Sequence, residues 1–112
     1  MENVKDLEDL LAMGCEVKKR LNDAKQSEEE VYVKVENDAT IRLFEDWWGR
    51  LSRCEFKEKF TEKIKEVSHA YYADIRPDYR NNVINTEAVD AFLKALNETI
   101  VAVRERSKIN AH

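Results

Sequence analysis

Apolar side chains recur at alternating three- and four-residue steps from the start of the chain: Val4, Leu7, Leu11, Gly14, Val17, Leu21 and Ala24, with Leu10 widening the stripe. This spacing predicts an amphipathic helix fading near Lys25 and Gln26, with Asn3 as its cap and Asp6 in its first turn. Gly14 sits on the stripe itself. There it costs about 1 kcal/mol of helix propensity against alanine, so a packing role, letting a neighbouring helix approach closely, is the expected reason for it.

The next stretch gives conflicting signals. Ser27-Glu28-Glu29-Glu30 has the form of a capping box, whereas Val31-Tyr32-Val33-Lys34-Val35 alternates in the manner of a strand. A strand there could return through Thr40-Ile41-Arg42-Leu43-Phe44 as a hairpin. Alternatively Asp38 caps a helix carrying Ile41, Phe44, Trp47, Trp48 and Leu51 on one face. An isolated hairpin is weak without a covering helix, so the pattern favours helix from Asp38 onward and leaves 31–36 open.

Ser52-Arg53-Cys54-Glu55 is a second capping box, followed by the stripe Phe56, Phe60, Ile64, Val67, Tyr71 and Ile75. Pro77 should end that helix and Asp78–Asn82 should form a loop. A last helix is expected after Asn85, with Glu87 in its first turn, Val89, Phe92, Leu93, Leu96, Ile100 and Val103 inward, and Arg104, Arg106 and Lys108 favouring its C-terminal dipole. These stripes predict one predominantly all-α domain over 1–112, a three- to four-helix antiparallel bundle with room for a short strand or hairpin within 31–44. The length of the first stripe also suits completion of the core by a second copy.

Composition narrows the picture. The 112 residues are 43% hydrophobic and 38% charged, enough for an ordered core, and two glycines and one proline leave little turn chemistry for an all-β fold. Residues 1–50 carry 13 acids and 8 bases (−5) and residues 51–112 carry 10 acids and 11 bases (+1), so neither half is a basic arm. The longest apolar run is far below the roughly 20 residues of a membrane span, no secretory segment is read at Met1–Asp6, and a cytoplasmic address with no membrane contact is the expectation. Cys15 and Cys54, 39 positions apart, follow no metal or redox spacing and are expected to remain thiols.

Candidate chemistry is sparse. Glu66 and His69 have the Glu-x-x-His spacing of carboxylate-bridged metal bundles, with Glu62 as a possible further ligand, but only one copy occurs and Lys59, Lys63 and Lys65 oppose a cation, so a solvated helix face is the stronger reading. Cys54 at a helix start reads as a small filler rather than a nucleophile. Tyr72, Arg76, Tyr79 and Arg80 interleave aromatics with arginines, as interfaces and base-stacking surfaces do. Adjacent Trp47 and Trp48 point about 100° apart on a helix, so with Phe44 they form either a wide buried face or an exposed interface. The expectation is a non-enzymatic helical interaction module without cofactor, binding another protein and self-associating through the first helix or the Trp47/Trp48 face. A nucleic-acid binder using Arg76, Arg80, Arg104 and Arg106 ranks second, and a metal-binding dimer built on Glu66 and His69 third.

Overall fold

The computed structural model describes residues 4–67 and 81–110, with side chains described for 4–64 and 81–106. Along the chain it contains α1 (Val4–Ala24), β1 (Tyr32–Lys34), α2 (Asp38–Ser52), α3 (Lys57–Val67), β2 (Val83–Asn85) and α4 (Thr86–Asn110). The domain is therefore predominantly helical with a small antiparallel sheet, as the periodicity predicts. Among the described residues no helix is long and apolar enough to cross a membrane.

The long helix α4 is the common wall. Helix α1 runs antiparallel to it, tied by ion pairs Lys18–Asp90 and Glu8–Arg104. α2 lies antiparallel to α1 on another side, and α3 packs on α4. Leu7, Leu10, Gly14, Val17 and Leu21 of α1 are buried, whereas Ala24, expected on the same stripe, is exposed where the helix ends.

Asn37, not Asp38, caps α2: its side chain accepts from the Ala39 amide at 2.9 Å and the Thr40 amide at 3.3 Å. Either residue type can do this, and the one before the first helical residue does. Neither predicted capping box forms. Residues 25–31 make no helix, and the Glu30 carboxylate instead accepts from the Gln26 amide. Ser52 is the last residue of α2, donating its hydroxyl to the Trp48 carbonyl, and α3 begins only at Lys57 after a turn in which the Cys54 carbonyl accepts the Lys57 amide. Cys54 thus precedes a helix rather than opening one, and it is buried.

The strand within 31–36 exists, but its partner is not 40–44, which are helical. Tyr32, Val33 and Lys34 pair with Asn85, Ile84 and Val83. The pairing continues at both ends, where the Val35 amide donates to the Asn82 carbonyl at 2.7 Å and the Thr86 amide to the Val31 carbonyl at 2.9 Å. Asn82 turns into β2 with φ 60°, a left-handed conformation that asparagine tolerates better than most residues. Strand β2 then runs into α4 with no linker, and the Asn85 side chain caps the helix by accepting from the Ala88 amide. Alternation does the rest: Val33 and Ile84 face the core while Tyr32 and Lys34 face solvent.

Candidate interaction surface

The tryptophan pair resolves as a wide buried face. Phe44, Trp47 and Trp48 are 1%, 0% and 6% exposed, so the interface expected of them is not presented by the folded chain. Phe92 of α4 explains why both indoles turn inward. Its ring lies 6.1 Å from each tryptophan, edge to face, and 6.4 Å from Phe60 of α3. α2 is covered from two sides, so a face 100° wide is buried.

Gly14 sets the depth of that packing. A Cβ built on it would stand 2.5 Å from Leu93 Cδ2 and 2.8 Å from Trp47 Cζ2. Without one, the indole lies against the backbone of α1 and its Nε1–H donates to the Leu10 carbonyl at 2.9 Å, satisfying a buried polar group. On the first stripe Leu7, Gly14, Val17 and Leu21 are buried within the chain, while Val4 and Leu11 are partly buried.

Tyr72, Arg76, Tyr79, Arg80 and His69 lie outside the described residues. Glu66 falls within α3, but its side chain lies outside them too. Among the described residues no group of three or more His, Cys, Asp or Glu side chains is placed to hold a metal ion. The arginines read as a nucleic-acid surface part company: Arg104 is paired with Glu8 across α1 and α4, while Arg106 borders a groove between α3 and α4.

That groove, of about 250 Å³, is lined by Lys59, Glu62 and Lys63 from α3 and by Glu98, Thr99, Ala102, Val103 and Arg106 from α4. Ala102 and Val103 of α4 give it apolar lining, and their small side chains leave it open. The Thr99 hydroxyl proton is already used, donating to the Ala95 carbonyl at 2.8 Å. Its rims alternate in charge. On the α3 rim the Lys59 ammonium sits 5.5 Å from the centre of the Phe56 ring, within reach of a cation–π attraction.

A larger depression of about 510 Å³ between α1 and α2 has a different character. Asp6, Asp9, Asp46, Arg50 and Arg53 line it around Leu10, and Arg50 pairs with Asp46 at 3.4 Å. Apart from Leu10 its lining is charged, so it offers a ligand little apolar area. Sequence reading placed Lys59 and Lys63 on a solvated face and Glu62 beside a metal motif, and missed the groove. The available signal was Ala102-Val103 continuing the apolar pattern of α4 beyond Ile100. The chain matches no family model, no curated protein and no solved structure.

Proposed function

We propose that this protein is a helical interaction module that receives a partner protein in the α3–α4 groove. The observation that carries the reading is the combination of apolar lining at Ala102 and Val103 with charged lining at Lys59, Glu62, Glu98 and Arg106. Protein interfaces have this anatomy, with apolar contact at the centre and charge at the edge. An amphipathic helix with a narrow apolar face and flanking charges of both signs has the complementary form, since an acid on it can face Arg106 and a base can face Glu98. A nucleic acid is the poorer fit, because Glu62 and Glu98 would lie against its phosphates.

A photo-crosslinking amino acid at Ala102, compared with one at exposed Ala12 on α1, tests the reading in native lysate with and without nuclease. The expected result is one discrete protein joined through position 102, unaffected by nuclease, and lost when Val103→Glu is added to that chain at unchanged helicity. Equal capture from both positions, none from 102, or loss on nuclease treatment would overturn it.

A further inference from the structure

Strand β1 carries a second surface, on a different element from the groove. The β1–β2 ladder fixes which way its backbone faces. Val31 and Val35 bond to Thr86 and Asn82, the residues flanking β2, and in an antiparallel pair residues two apart point their amides and carbonyls to the same neighbour. Val31, Val33 and Val35 therefore face β2, and the backbone groups of Tyr32 and Lys34 face the opposite edge. The sheet has two strands, so among the described residues no third strand lies along that edge. Tyr32 beside it is 57% exposed, one of two exposed large hydrophobic residues among those described.

We propose that β1 pairs along this edge with β1 of a second copy, about a two-fold axis at Val33, giving a continuous four-stranded antiparallel sheet. The geometry selects this register. Tyr32 and Lys34 are the outward-facing pair, so a two-fold axis between them sets each Tyr32 opposite Lys34 of the second copy and joins them by backbone hydrogen bonds. Both Val33 side chains then stay on the buried side. A slip that set Lys34 against Lys34 would oppose like charges. A slip toward Glu30 would need its amide, which already donates to the Ser27 carbonyl at 3.2 Å.

An edge lysine usually discourages pairing. In the two-fold register it meets an aromatic ring twice, where ammonium and ring attract. The surface is thus complementary to itself, which is what a closed dimer requires. Three residues a side form a short contact, and the dimer is expected to be weak and concentration-dependent.

Sedimentation equilibrium and amide hydrogen exchange on the full chain, at low and high protein concentration, test the pairing. The expected result is a monomer–dimer equilibrium in which the Tyr32 and Lys34 amides exchange about tenfold or more slowly at high concentration. The Val33 and Val35 amides, already bonded within the chain, should change much less. Lys34→Pro removes an outward amide without removing a β1–β2 bond and should leave a monomer of unchanged helicity. The groove variant Ala102→Glu should still dimerise, so the two surfaces fail separately. A chain monomeric at all concentrations, a dimer without protection at Tyr32 and Lys34, or a dimer abolished by Ala102→Glu would overturn the proposal. If Lys34→Pro misfolds, the exchange pattern of the unaltered chain decides; protection at Tyr32 and Lys34 given by an extended peptide and not by a second copy would also overturn it.

Discussion

Helix α4 presents two unlike surfaces to its neighbours. Toward α1 and α2 it sends Phe92 and Leu93 into a packed centre where Trp47 lies against the bare backbone at Gly14. Toward α3, beyond the Phe92–Phe60 contact and about two to three turns further on, it presents Thr99, Ala102 and Val103, and a groove remains. Large side chains facing a glycine close one contact, while small ones facing long charged side chains leave the other open. The same helix thus holds the fold together at one level and offers a surface at another.

The comparison breaks most sharply at Phe92. Phe92→Ala removes the ring shared by Trp47, Trp48 and Phe60, and a loss of about 3–5 kcal/mol in urea unfolding is expected. A loss below about 1 kcal/mol would mean that the aromatic cluster is not the centre of the fold. Gly14→Ala should come next. Alanine favours a helix by about 1 kcal/mol, yet its methyl group would displace Trp47 and Leu93, and overpacking of this kind costs about 1–3 kcal/mol. A net loss of about 1 kcal/mol is the expected outcome by thermal or urea unfolding, and a stabilised variant would show that α1 and α2 can separate without strain. Ala102→Glu, in the groove, should shift stability by no more than about 0.5 kcal/mol, because the position is exposed. A large destabilisation there would make the groove part of the core and erase the contrast.

Much of this architecture was legible in residue spacing. The stripes of α1, α2 and α4 are long enough that periodicity alone identifies them, and Gly14 on a buried stripe announced a close approach. The missed features depend on choices that local sequence leaves open. Ser52 fits a capping box, but its hydroxyl is taken by the Trp48 carbonyl because Ser52 is itself the last residue of α2. Val31–Val35 reads as a strand, yet nothing near it names β2 as the partner. Whether Trp47 and Trp48 are buried depends on Phe92, more than 40 positions away, and the groove exists only once α3 is laid beside α4.

The β1–β2 pair also ties the start of the last helix to a distant part of the chain. Both the amide and the hydroxyl of Thr86 donate to the Val31 carbonyl, 55 residues earlier in the chain. Bringing those ends together carries the entropy cost of closing a long loop, whereas the α1–α2 contact spans a shorter one. Because β2 enters α4 without a linker, seating the strand also orients the first turn of the last helix, and a change that loosens the Val31 carbonyl should reach both.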